Sequence, residues 1–414
     1  MEILNWILGL GASVMLPIIM FFFGLIMGAG LSRSFKSAIT IGIGFTGINL
    51  VINLLTSELG PAAQAMTERL GLDLKIIDIG WPAMASISWA WVASALVIPI
   101  VLVINFIMLT LKLTKTMNVD LWNYWQFAFV GAAVTAINGS VMWGLVAAGL
   151  SSIIALVLAD YTQPYIEKFF GMPGISLPHL TALGFMPIII PLNWVLDRIP
   201  GINKLYADPE TIRKRFGVFG EPMSMGLIIG LLLGIFGGLG IEKVLQLAIT
   251  MASVMYLMPK MVAILMEGLI PISEAARDFM TKRFGDRQIF IGLDAAVSLG
   301  EPSVIAVGLL LVPITIGLAF IVPGNRILPF ADLAVIPFIV CLITAMSKGN
   351  VIRSLITGTI VMTLVLLFAT NLSPAETIMA MDAGVQIPEG ATQIANLDRA
   401  NFITWALVRI FSLF

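Results

Sequence analysis

Long apolar windows dominate the chain, at about 3–29, 38–56, 90–111, 122–137, 141–159, 219–240, 243–266, 303–322, 331–346 and 351–370. Several approach the ~20 residues that an α-helix needs to cross a bilayer, while 122–137 and 331–346 are short. Shorter apolar pieces lie at 182–196 and 401–413. Two more, 79–90 and 291–302, stand just ahead of a span and carry Gly, Pro or acidic residues. Backbone broken in this way is tolerated at membrane depth only against protein or water, so these two predict re-entrant or broken elements. The pattern predicts an all-α polytopic membrane protein, a single integral-membrane unit over 1–414 with about 10–11 transmembrane helices plus re-entrant elements.

Composition removes the soluble alternative. A chain of 414 residues would ordinarily form two or three soluble domains, but 59% of it is hydrophobic and only 11% charged. An average soluble protein is ~25% charged, and the mean hydropathy of +1.01 leaves too little polar surface for a water-exposed exterior. The net charge of −1 supplies no basic field for nucleic acid. The single cysteine, Cys341, excludes a disulfide framework, a cysteine zinc cluster and a CxxC redox pair. His179 is the single histidine, which excludes the usual multi-histidine metal sites. No metal or cofactor is therefore expected. The apolar stretch from Ile3 to Gly28 has no Lys or Arg before it, so it reads as a retained first span and not a cleaved signal.

The few positive charges set an orientation. With the N-terminus outside and 182–196 not crossing, most Lys and Arg fall on cytoplasmic loops, including Arg213-Lys214-Arg215, Arg277 to Arg287, and Arg353. The outside then holds little more than Arg69, Lys75, Lys243, Arg326 and Arg399. This assignment gives about five crossings per half.

The halves also repeat, repeat one over about 1–200 and repeat two over about 210–410. Gly24, Gly28 and Gly30 match Gly234, Gly238 and Gly240; Pro61 matches Pro271, and Gly139 matches Gly349. Asp120-Leu121 matches Asp332-Leu333, and Trp194 matches Trp405, in nearly the same register. An odd number of crossings per half inverts one copy relative to the other. Inverted repeats with a midplane site at broken segments are the architecture of alternating-access carriers.

The candidate chemistry sits in those broken segments. Gly220-Glu221-Pro222 and Gly300-Glu301-Pro302 place a carboxylate at the start of an apolar span, where it serves either as a helix N-terminal cap or as a ligand group. Asp294 lies seven residues ahead of Glu301 in the same segment. Two carboxylates there suit the hydroxyls of a polyol, each accepting two or more hydrogen bonds. In Asp78-Ile79-Gly80-Trp81-Pro82 an aromatic face adjoins a carboxylate. That arrangement holds sugars, although an interfacial Trp of the membrane belt gives the same pattern. His179 is either a structural residue or a ligand, and Asn123 and Gln126 at the mouth of the fourth span are candidate donors to hydroxyls. Gly226, Gly230, Gly234 and Gly238 recur every fourth residue, a face for close helix packing. Cys341 lies inside an apolar span, a poor setting for a nucleophile.

The runs Ile41-Gly-Ile-Gly-Phe-Thr-Gly47, Asp78-Ile-Gly-Trp-Pro82, Asn118-Val-Asp-Leu-Trp-Asn123, Phe216-Gly-Val-Phe-Gly-Glu-Pro222, Ile291-Gly-Leu-Asp294 and Val322-Pro-Gly-Asn325 resemble the galactitol-type IIC component of the bacterial phosphoenolpyruvate-dependent sugar phosphotransferase system. Ascorbate-type IIC proteins are similar in layout. The resemblance covers essentially the whole chain. It implies a homodimeric elevator-type permease in the bacterial cytoplasmic (inner) membrane. Such a permease binds and translocates galactitol or a related polyol for phosphorylation by separate IIA and IIB subunits. By analogy with the ascorbate-type layout, the segment from Asp78 to Ser86, His179, and the segment around Asp294 would line the substrate site. The phosphate-carrying histidine and cysteine of such systems lie on the soluble subunits, so this chain would hold no catalytic residue of its own. The alternative is an ion-coupled elevator-type secondary transporter for a polyol or sugar acid, with Asp294 or Glu301 as the ion site.

Overall fold

A computed structural model describes residues 12–71, 74–118, 120–199, 221–284, 289–299, 301–388 and 390–414. Among the described residues, each half begins with a helical hairpin that turns at glycines. In the first, α1 (Ala12–Ile26) leads through Gly28 and Gly30, at φ of 85° and 84°, into α2 (Leu31–Leu70). In the second, α9 (Pro222–Phe236) leads through Gly238, at φ 69°, into α10 (Ile241–Phe284). Side chains other than Gly rarely adopt this left-handed backbone.

The small residues do what their spacing predicts. A Cβ on Gly230 would stand 2.6 Å from Ala248 Cα, and one on Gly234 would stand 3.1 Å from Val244 Cα, so α9 lies directly against α10. The two long helices cross in the same way. A Cβ on Gly44 of α2 would meet Leu265 Cα of α10 at 2.7 Å, and one on Gly268 would meet Ile41 N at 2.9 Å.

After each hairpin a similar order of elements follows, with a 3₁₀ turn in the second half where the first has a helix, and one short helix fewer. The first half runs β1 (Ile76–Asp78), α3 (Trp81–Ala90), α4 (Ser94–Thr110), β2 (Thr116–Asn118), a 3₁₀ turn (Trp122–Tyr124), α5 (Trp125–Asn138), α6 (Val141–Phe170), β3 (Ile175–Ser176), α7 (Leu180–Leu183) and α8 (Met186–Leu196). The second runs β4 (Phe290–Gly292), a 3₁₀ turn (Ala295–Ser298), α11 (Pro302–Ile321), β5 (Ile327–Leu328), a 3₁₀ turn (Leu333–Val335), α12 (Ile336–Met346), α13 (Val351–Asp382), β6 (Gln393–Ala395) and α14 (Phe402–Phe411).

The short strands knit the halves by exchange. β1 pairs in parallel with β5 and β6 of the other half, and β4 pairs in parallel with β2 and β3. These strands are two or three residues long and were not legible as strands in the apolar windows. They satisfy backbone groups of the broken segments, as non-helical backbone at membrane depth requires.

Among the described residues, Val141–Phe170, Pro302–Ile321 and Val351–Asp382 are each long and apolar enough to cross a membrane. The pair Trp81–Ala90 and Ser94–Thr110, bent by 94°, is a fourth span if counted as one. The windows at 122–137 and 331–346 are short because each opens on a 3₁₀ turn before its helix begins. The helix in 182–196 has 11 residues, or ~16 Å at 1.5 Å per residue, against a core of ~30 Å. Arg399, which the charge pattern puts in an outer loop, lies in the irregular segment between β6 and α14. Its side chain is wholly buried and paired with Asp398.

Candidate functional site

The break at 291–302 is built around Asp294. Gly292 closes β4 against the neighbouring segments, since a Cβ there would stand 2.8 Å from Pro178 Cγ and 3.0 Å from the Met117 carbonyl. Two residues on, Asp294 Oδ1 accepts from the Ala296 amide at 2.8 Å and so caps the 3₁₀ turn. Its other oxygen accepts from Asn123 Nδ2 at 3.0 Å, and the same amide donates to Asp120 at 2.6 Å.

Gln126 stands one turn further along. Its Oε1 accepts from the Leu180 amide at 2.7 Å, which turns Nε2 toward His179 Nε2, 2.9 Å away. An amide N–H donates, so that imidazole nitrogen accepts and the neutral ring carries its proton at Nδ1. His179 Nε2 also lies 3.7 Å from Asp294 Oδ1. Asn123, Gln126, His179 and Asp294 thus form one polar arc drawn from both halves.

This arc lines a cavity of about 260 Å³. Aromatic rings complete its wall. Trp81 lies 6.3 Å edge-on from Trp122 and 6.4 Å from Trp125 in a stacked arrangement, and Phe338 stacks on His179 at 6.2 Å. Apolar faces beside a few convergent polar groups are the usual composition of a small-molecule site.

Behind the wall, Asp332 fixes the backbone. It accepts from the amides of Trp81 at 2.6 Å, Leu397 at 2.8 Å and Asp398 at 3.2 Å. Arg399 binds Asp398 at 3.0 Å, donates to Thr181 and lies 4.8 Å from the face of Trp125. Asp398, Thr181 and Trp125 all line the cavity.

Of the residues singled out in the sequence, Asn123, Gln126, His179, Asp294 and Trp81 line this cavity. Asp78, Glu301 and Glu221 are not among its lining residues. Asp78 is fully buried, and its oxygens accept from the amides of Gly80 at 3.0 Å and Asp332 at 2.7 Å. Glu301 stands at the N-terminus of α11 and accepts from Ser303 Oγ at 3.2 Å. Glu221 is exposed at the start of α9. Cys341 is buried and donates to the Phe338 carbonyl, which fits packing. Sequence reasoning missed Trp122, Trp125, Thr181, Phe338 and Asp398. Asp398-Arg399 was readable only as an acid–base pair ahead of the last helix.

Among the described residues no group of three or more His, Cys, Asp or Glu is arranged to hold a metal ion.

Residues 6–390 match the family model EIIC-GAT, described as a PTS system sugar-specific permease component. The chain is 39% identical over 412 residues to the PTS system galactitol-specific EIIC component of Escherichia coli K12, covering 99% of this chain and 91% of that one. The galactitol-specific EIIC component of Escherichia coli O157:H7 gives the same figures. A further chain of Escherichia coli K12, named only provisionally as a permease IIC component, is 40% identical over 409 residues, covering 99% of this chain and 94% of the other. The arc of amide, imidazole and carboxylate groups beside tryptophan faces is therefore set in a chain that belongs to the EIIC-GAT family of PTS sugar-specific permease components.

Proposed function

We propose that this permease component binds galactitol or a closely related polyol in the cavity and carries it across the bacterial cytoplasmic membrane. Separate IIA and IIB subunits then phosphorylate it during uptake. The observation that carries this reading is the pairing of the Asp294–Asn123–Gln126–His179 arc with the Trp81, Trp122 and Trp125 rings in one cavity. A polyol presents hydroxyls to such an arc and C–H faces to such rings. The names of the relatives supply the same substrate class.

We further infer that the halves are inverted repeats of a homodimeric elevator-type carrier with 10 or 11 crossings in all. The similar element order and the exchange of β1 and β4 between halves support the repeat. Broken elements that meet at one site are the expected setting for alternating access. Glu301 and Glu221 would meet substrate in another state of that cycle, while Asp78 would serve the site by holding the Gly80 and Asp332 amides. The inner-loop basic stretches, Arg213 to Arg215 and Arg277 to Arg287, would dock IIB; of these, Arg213, Lys214, Arg215 and Arg287 lie outside the described residues.

The test is product identity. Membrane vesicles carrying the chain, mixed with IIA, IIB and phosphoenolpyruvate, should form galactitol phosphate. Accumulation of unmodified galactitol driven by an ion gradient, with no phosphorylated product, would instead establish the ion-coupled transporter.

A further inference from the structure

Two cavity-lining residues keep a buried polar atom for which no described residue supplies a hydrogen bond. One is Asp398 Oδ1 and the other is His179 Nδ1. Both side chains are more than nine-tenths buried, and they interact electrostatically. Such atoms are rare in folded proteins and need an explanation, because a buried polar group without a partner is costly.

The chemistry of the pair is specific. Asp398 is held from behind, with its Oδ2 accepting from Arg399 Nε at 3.1 Å and Nη2 at 3.0 Å. Its main-chain amide is pinned by Asp332 at 3.2 Å. The carboxylate is thus fixed in place with one acceptor oxygen unused. His179 is fixed through Nε2 by Gln126 at 2.9 Å, which leaves an N–H at Nδ1. One site offers an acceptor and the other a donor. A hydroxyl is the ligand group that both donates and accepts.

We propose that Asp398 is a specificity-determining residue of the permease, its Oδ1 accepting a hydrogen bond from a hydroxyl of a neutral polyol. This rests on the substrate site proposed above and goes further, because it names what the site rejects. A sugar acid brings a carboxylate, which has no proton to give Asp398 and meets the like charge of both Asp398 and Asp294 in one small cavity. Arg399 offsets part of the Asp398 charge, but its guanidinium stands behind Asp398 and is not among the cavity-lining groups, so the uncompensated repulsion comes mainly from Asp294. Selection then comes from repulsion of the wrong ligand as much as from attraction of the right one.

The experiment measures binding of galactitol and of galactonate to the full-length protein in lipid nanodiscs at neutral pH. The wild type should bind galactitol at least fivefold tighter than galactonate. Asp398→Asn keeps the shape and an acceptor for Arg399 but removes the charge. It should lose at least fivefold in galactitol affinity, and the galactitol-to-galactonate preference should fall by at least the same factor. Because that variant leaves Arg399 buried with a weaker partner, the double variant Asp398→Asn/Arg399→Gln provides a second, uncharged version with the same expected losses. A folded variant that changes either quantity by less than fivefold overturns the assignment of Asp398 and leaves the polyol permease standing, as does a wild type that binds galactitol but prefers galactonate. A wild type that binds neither galactitol nor any related hexitol overturns the polyol reading itself, and this inference with it.

Discussion

Asn123 bridges two carboxylates, its single Nδ2 donating to Asp120 at 2.6 Å and to Asp294 at 3.0 Å. The amide supplies the donor that lets two acids from opposite halves face one another. Hydrogen bonds to charged groups contribute ~1.5–3 kcal/mol each. Asn123→Ala should therefore weaken galactitol binding by about 10–100-fold, and Asn123→Asp, which adds a third acid in place of the donor, should weaken it further. Titration of each variant in nanodiscs checks this. Affinity unchanged in Asn123→Asp would mean the bridge does not shape the site.

His179 is the single histidine in the chain, so its ring can be followed without assignment. Gln126 orients it through an amide whose oxygen is already committed to the Leu180 amide. Nitrogen NMR of histidine-labelled protein should show a neutral ring with its proton at Nδ1 near neutral pH. Gln126→Glu removes the N–H that faces Nε2 and should move the proton to Nε2 or charge the ring. The same Nδ1-protonated spectrum in that variant would show that Gln126 does not set the tautomer.

Asp78 separates stability from binding. Both of its oxygens are engaged by main-chain amides, of Gly80 and Asp332, and it does not line the cavity. Asp78→Ala leaves two buried amides without a partner, at ~1–3 kcal/mol each. The midpoint of thermal unfolding should fall by several degrees, while galactitol affinity of the surviving folded protein stays within about twofold. A tenfold loss of affinity at unchanged stability would instead place Asp78 in contact with substrate.

The sequence made the membrane class, the broken segments and five of the cavity-lining residues readable, and the reason is physical. Charge and backbone breaks are so costly in lipid that Asp294 or His179 in such a segment stands out. Trp122, Trp125 and Phe338 were not readable, because in a chain that is 59% hydrophobic an aromatic residue carries no signal of its own. The surroundings of Asp78 were not readable for the opposite reason. Asp78 is an acid in a broken segment, as Asp294 is, but its partners are main-chain amides of a turn formed with the other half, and sequence order does not show that pairing. The burial of Arg399 was not readable because its partners, Thr181 and Trp125, lie more than half the chain away.

The tether between α8 and α13 gives a pH-dependent prediction outside the spans. Arg353, at the start of α13, binds the Asn193 carbonyl at 3.0 Å and Asp197 Oδ1 at 2.5 Å, so it joins the end of α8 to a spanning helix. The hydrogen bond from Arg353 holds the Asp197 carboxyl below the usual carboxylate range, although partial burial opposes it. A depressed value means the tether's contribution is fully present above the unfolded value of ~3.9 and is lost as pH falls through the lower folded value. The Asp197 side chain is 56% exposed, so solvent screening keeps that contribution well under ~1 kcal/mol. Asp197→Asn should therefore lower the unfolding midpoint by only ~1–2 °C at pH 7, and the gap from wild type should close below pH ~3.9. Thermal melts across that range decide it: a gap that persists unchanged into acid would show that the variant acts through packing, and not through the ionised pair.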